Sequence, residues 1–166
     1  MMKNTKKILI VDDDIDVITI VETILKNEGY KVIAASSKEE AIEIAKIEKP
    51  NIAICDVMMS THYEGFELAK EFATNEEFAN MPVIMQTSIN VFSSNDEDTM
   101  RFARYYRSEM NNHDLDVLLV ENTSRGDAGI DYKDENGELI WAPVKAFIKK
   151  PVEARKLIEN IEKYIR

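Results

Sequence analysis

Five polar residues stand where short apolar runs end. Asp12 and Asp13 follow Ile8 to Val11, Asp56 follows Ile52 to Cys55, Thr87 closes the run from Pro82, and Lys150 follows Val144 to Lys149. Three carboxylates gathered in one cleft repel each other unless a cation neutralises them. Hard oxygen ligands select Mg²⁺ over zinc or copper, and Mg²⁺ commonly adds phosphate oxygens to its shell. Lys150 contributes a positive point charge and Thr87 a hydroxyl donor. That set can carry transfer of a phosphoryl group to an aspartate carboxylate, with Asp56 as the nucleophile.

Such residues meet only if the strands bearing them lie side by side. The branched apolar runs are those of strands buried on both faces, as in a parallel sheet. Between them, apolar residues at 17, 18, 20, 21, 24 and 25 give a helical rhythm that stops at Gly29, and Lys31 to Ala35 reads as a second strand. Ser37 and Glu40 form a capping-box pattern for a second helix, Gly65 to Phe78 reads as a third, and Val152 to Ile165 as the last. Strands alternating with helices predict an α/β fold, a doubly wound five-stranded parallel sheet. In such a sheet ligands bind beyond the carboxyl ends of the strands, where these five residues stand.

Residues 88–143 separate the fourth strand from the fifth, far more than one helix with loops of roughly two to six residues requires. The spacing predicts an inserted helix over Asp96 to Met110, a strand over Asp116 to Glu121, and a hairpin over Ile130 to Trp141 turning at Asn136-Gly137. One domain over 1–166, with an insertion at about 93–143, is expected. Tyr105, Tyr106, Tyr132 and Trp141 are candidates for contact area on a partner-specific platform, or else for a satellite core.

Composition excludes several classes. With 21 Lys plus Arg against 31 Asp plus Glu, the net charge of −10 argues against direct nucleic-acid binding. No apolar stretch approaches the roughly 20 residues of a membrane span, so membrane insertion is not expected. Lone Cys55 sits among apolar residues and reads as a buried, reduced thiol, which fits a cytoplasmic setting. His62 and His113 lack any local spacing that would make them metal ligands or relay residues.

The segments "ILIVDDD", "IAICDVMM", "MPVIMQTS" and "AFIKKPV" resemble, in order, the signature strands of the receiver domains of two-component response regulators. The resemblance implies a flavodoxin-like receiver fold of the single-domain, chemotaxis-regulator type. It implies Mg²⁺ on Asp12, Asp13, Asp56 and the Met58 backbone carbonyl, and phosphorylation of Asp56 by a sensor histidine kinase or a phosphotransfer protein. Thr87 and Lys150 would contact the phosphoryl group, and Thr87 and Phe147 would act as switch residues. The chain would not be an enzyme in the turnover sense, and its output would pass to a separate effector protein, since the last helix leaves no room for an output domain.

Ser60 stands where the family usually has Pro, and the loop through Ser60 to Gly65 is one residue longer than usual. Met58 and Ile89 are apolar where polar residues in relatives help position hydrolytic water, so slow self-dephosphorylation is expected. Two other functions use similar parts. A haloacid-dehalogenase-like phosphohydrolase would need a second carboxylate two residues after the nucleophile, where Met58 stands. A phosphorylation-independent binding module would not need the Asp, Thr and Lys set.

Overall fold

The computed structural model describes residues 6–59, 63–95, 98–109 and 117–165. Strands β1 (Lys7–Val11), β2 (Lys31–Ala35), β3 (Ile52–Asp56) and β4 (Val83–Thr87) alternate with helices α1 (Ile15–Asn27), α2 (Lys38–Glu48) and α3 (Glu64–Thr74). A 3₁₀ turn over Glu76–Phe78 follows α3. Next come β5 (Val91–Ser94), α4 (Thr99–Glu109), β6 (Val117–Asn122), β7 (Asp127–Lys133) and β8 (Leu139–Val144), before β9 (Ala146–Lys149) and α5 (Ala154–Tyr164) close the chain. Among the described residues, no helix is long and apolar enough to cross a membrane.

The five-stranded sheet runs β2-β1-β3-β4-β9, parallel throughout. Alternate residues feed opposite cores, as the two-residue period of a strand requires. Ile8, Ile10, Ile52, Ile54 and Ile84 pack with α1 and α5 on one face, while Leu9, Val11, Ala53, Cys55, Val83 and Met85 pack on the other. Each fully buried Ile, Leu, Val or Met among these contributes roughly 1.5–3 kcal/mol. Helix starts are locally specified: Asp14 accepts from the Asp16 N–H, and Ser37 accepts from the Glu40 N–H. Glu40 reaches back to the Ser36 N–H at 2.8 Å, one residue earlier than in a capping box.

The segment between β4 and β9 builds a second sheet, ordered β5-β6-β7-β8. One face, carrying Leu119, Ala128, Ile130, Tyr132, Ala142 and Val144, joins the core that contains Phe66 and Phe72 of α3. On the other face Leu118 and Val120 pack with Ala103, Phe92, Phe102, Tyr106 and Trp141 beneath α4. Gly129 is required there, because a Cβ at this position would run into the Trp141 ring. Asp131, fully buried on that face, is bound by Arg104 and by Arg107, whose guanidinium reaches Asp131 Oδ2 at 3.0 Å.

Four expectations change. The additional sheet begins at Val91, a strand the sequence did not announce. The hairpin loop spans 134–138 and is held by Asp134, whose carboxylate accepts from the N–H groups of Asn136 and Glu138, with Gly137 alone taking the positive φ of 81°. Val144 ends β8 rather than starting the last parallel strand. Of the four aromatics proposed as contact area, Tyr132 is buried and Tyr106 and Trp141 serve the α4-side core, leaving only Tyr105 well exposed.

Candidate phosphoacceptor cleft

β1 and β3 are neighbours in the sheet, which delivers Asp12 and Asp56 side by side at its carboxyl edge. Asp12 and Asp56 are buried and Asp13 is exposed, and one carboxylate oxygen from each lies within 4.8 Å of the others. This is a compact set of hard oxygen donors, and it fits a small divalent cation. Local structure pins the first two carboxylates. The Asp14 N–H donates to Asp12 Oδ1 at 2.9 Å, and the Met58 N–H donates to Asp56 Oδ1 at 3.2 Å.

Lys150 arrives from β9, two strands away from Asp56 across β4. Its backbone N–H donates to the Thr87 carbonyl at 2.9 Å, and its Nζ lies 3.1 Å from both Asp12 Oδ2 and Asp56 Oδ2. Lys150, the residue directly before Pro151, faces the acids. Burial, followed by the Asp12 charge, pushes the Asp56 carboxyl above its ordinary value, against the pull of Lys150 and the Met58 N–H. Burial alone would lower the Lys150 ammonium, but Asp56 and Asp12 outweigh it and the net shift is upward. The cleft therefore keeps its lysine charged and makes ionisation of Asp56 harder.

Thr87 is buried at the end of β4, and its hydroxyl accepts from the Ile89 N–H at 2.8 Å. It borders the cleft but is engaged with its own loop. Phe147 does not reach the acids. It is half-buried against the core shared by α3 and the second sheet. Cys55 points to the face opposite Asp56, where burial and the neighbouring Asp56 charge push its thiol far above the ordinary range. Ser60, His62 and His113 lie outside the described residues.

Two neighbours of Asp56 were not among the site residues expected from the sequence. Gly65 packs so closely on the strand-end loop that a Cβ there would strike the Val57 carbonyl and come within 2.6 Å of the Asp56 carbonyl oxygen. Gln86 stands beside Asp56 in the register of β3 and β4. A lone Gly near a helix start and a Gln within a strand carry no local signal of such neighbours.

The family model described as the response regulator receiver domain matches residues 8–103. A probable transcriptional regulator, ycf27, from Cyanophora paradoxa is 40% identical over 86 residues, 52% of this chain and 34% of that protein. The alkaline phosphatase synthesis transcriptional regulatory protein PhoP of Bacillus subtilis is 37% identical over 83 residues, 50% of this chain and 33% of its own length. The chain thus matches about a third of the length of these relatives. Among solved structures, a CheY-like receiver domain protein from Methanospirillum hungatei superposes with TM-score 0.61 at 24% identity, covering 97% of this chain and 94% of that one. The receiver domain of a sensor histidine kinase from Pseudomonas aeruginosa, with a magnesium ion coordinated in its active site cleft, has TM-score 0.61 at 16% identity and covers 97% and 98%. Lys150 lies beyond the segment matched by the family model, so its place in the cleft rests on the fold.

Proposed function

Because the chain belongs to the response regulator receiver domains, we propose that it accepts a phosphoryl group on Asp56 from the phosphohistidine of a sensor kinase or phosphotransfer protein. The observation that carries this reading is the Lys150 ammonium, 3.1 Å from both Asp12 and Asp56 at the end of the parallel sheet. An Asp56 carboxylate oxygen attacks the phosphorus, the P–N bond to the imidazole breaks, and the imidazole leaves with the electron pair. Asp12, Asp13 and Asp56, with the Met58 carbonyl, would hold Mg²⁺, which supplies positive charge for the phosphoryl oxygens when bound. Lys150 pairs with the phosphoryl oxygens as charge builds on them. The Thr87 hydroxyl turns its O–H from the Ile89 carbonyl, 3.4 Å away, to a phosphoryl oxygen, and that change moves the loop beyond β4.

Receiver domains are signalling modules rather than turnover enzymes, and here the consequence of phosphorylation is conformational. Phe147 packs under the second sheet, so we place the readout on that sheet and α4, as parts of the same unit, facing a separate cytoplasmic effector. Incubation with a small phosphodonor and Mg²⁺, read by intact mass, tests the reading. A gain of one phosphoryl group in the wild type and none in Asp56→Ala is expected. Equal gain in both would remove Asp56 from its role.

A further inference from the structure

Gln86 on β4 is the register partner of Asp56 on β3 and of Ile148 on β9. Its side chain shares the sheet face of Ile84 and Ile148, the face covered by α1 and α5. Only 2% of the residue is exposed, and its Oε1 has no hydrogen-bond partner. An unpaired buried acceptor is destabilising, and a leucine or methionine would fill a row of isoleucines without that cost. A buried orphan of this kind calls for an explanation beyond packing.

The neighbouring lysine supplies one. Lys150, the residue after β9, donates its backbone N–H to the carbonyl of Thr87, next in the chain to Gln86, and its Nζ reaches Asp56, the register partner of Gln86. Its ammonium has three N–H donors. One reaches Asp12 and another reaches Asp56, each at 3.1 Å, and among the described residues the third has no protein acceptor, on a side chain 21% exposed. A donor without a protein acceptor and an acceptor without a donor thus both neighbour Asp56.

We infer that Gln86 is a positioning residue of the cleft: its carbonyl receives the third Lys150 N–H across one buried water and holds the ammonium over Asp56. The chemistry suits the task. A third carboxylate under Lys150 would compete with the phosphoryl group for the ammonium and add to the repulsion around Asp56. A neutral carboxamide oxygen fixes the lysine without either effect. It also keeps the lysine in place when a cation draws on the Asp12 charge. This role rests on the reading of Asp56 as phosphoacceptor, but the link between Gln86 and Lys150 can be measured without phosphorylation.

The test is a double-mutant cycle on the full chain with Gln86→Met, Lys150→Met and the pair. In Mg²⁺-free thermal unfolding, Gln86→Met should raise the Tm at least about 2 °C more in the Lys150→Met background than in the wild type, because only there is the carboxamide left without a donor. Equal shifts in the two backgrounds would overturn the link. With a small phosphodonor and Mg²⁺, Gln86→Met should slow Asp56 phosphorylation about fivefold, the effect of one hydrogen bond, and slow it no further once Lys150 is gone. An unchanged rate in the wild-type background would overturn the positioning role even if the thermal cycle showed coupling. Absence of any Asp56-dependent mass gain in the wild type would instead overturn the phosphoacceptor reading, and the thermal cycle would still decide whether Gln86 holds Lys150.

Discussion

The rings of Phe66 on α3 and Tyr132 on β7 lie with centroids 5.2 Å apart, and Tyr63, just before α3, stands edge-on to Phe66 at 6.2 Å. The second sheet is thereby fastened to the helix that follows Asp56. Tyr132 is buried, so Tyr132→Ala should cost about 3–5 kcal/mol, read as a loss of unfolding free energy in urea. An effect below about 1 kcal/mol would mean that the second sheet is only loosely attached.

Tyr132 also gives the fold a signature in alkali. Burial, with the Glu67 and Asp134 charges, pushes its hydroxyl up to about 12. Unfolded tyrosine ionises near 10, so between about 10 and 12 the unfolded chain releases this proton while the folded chain keeps it. Stability from this group is complete below pH of about 10 and is lost as the pH rises through the folded value. Tyr132→Phe should lose less stability than the wild type over that window. Parallel curves for the two proteins would show that the hydroxyl titrates freely in the fold.

Asp131 tests what fixes α4. Removing this fully buried carboxylate takes from Arg107, itself only 4% exposed, the anion that balances its charge, and leaves its bond to the backbone carbonyl of residue 131. Asp131→Ala should cost about 3–5 kcal/mol, whereas replacing Asp131 and Arg107 together with leucines should recover most of the loss. A double variant no better than the single one would mean that Arg104, the other partner of Asp131, carries the anchoring.

The parallel sheet and its site were legible because branched apolar runs ending in Asp12, Asp56 and Thr87 report both burial and direction. Lys150 was legible as a cation at the end of the last strand, but its pairing with Asp12, 138 residues away in the chain, depends on the order of strands in the sheet. The second sheet was half legible. Val117 to Val120 announces a buried strand, but Val91 to Ser94 is short, half serine, and pairs in parallel with a strand beyond α4, so nothing local marks it. The inward turn of Trp141 depends on the space left by Gly129 on the neighbouring strand, a tertiary fact. Gln86 reads as polar, and only the register shows that it borders Asp56.

Asp56 carries a cost in the cation-free protein. Its folded pKa lies above the ordinary carboxylate value, so ionisation opposes folding at neutral pH, and the opposition fades as the pH falls through the raised folded value. Asp56→Asn should therefore raise the Tm near pH 7.5 without Mg²⁺, with a gain that shrinks on acidification. Added Mg²⁺ should raise the wild-type Tm by mass action and leave Asp56→Asn and Asp13→Ala nearly unmoved. A Tm rise of equal size in all three proteins would place the cation elsewhere.

With Asp56 as the proposed phosphoacceptor, the lifetime of its phosphorylated state would turn on the residues that follow Asp56 and Thr87. Met58 is 40% exposed beyond Asp56, and half-buried Ile89 uses its backbone N–H on Thr87. Neither side chain can hold a water in line for attack on an aspartyl phosphate. Self-dephosphorylation should accordingly be slow, and Met58→Asn, which offers a donor and an acceptor at an accessible position, should speed it roughly tenfold, the equivalent of one well-placed hydrogen bond. The decay of the phosphorylated mass after removal of the phosphodonor measures both rates. Equal decay in wild type and Met58→Asn would mean that water reaches the phosphorus without help from this position, and the lifetime would then have to be set by Lys150 and the cation alone.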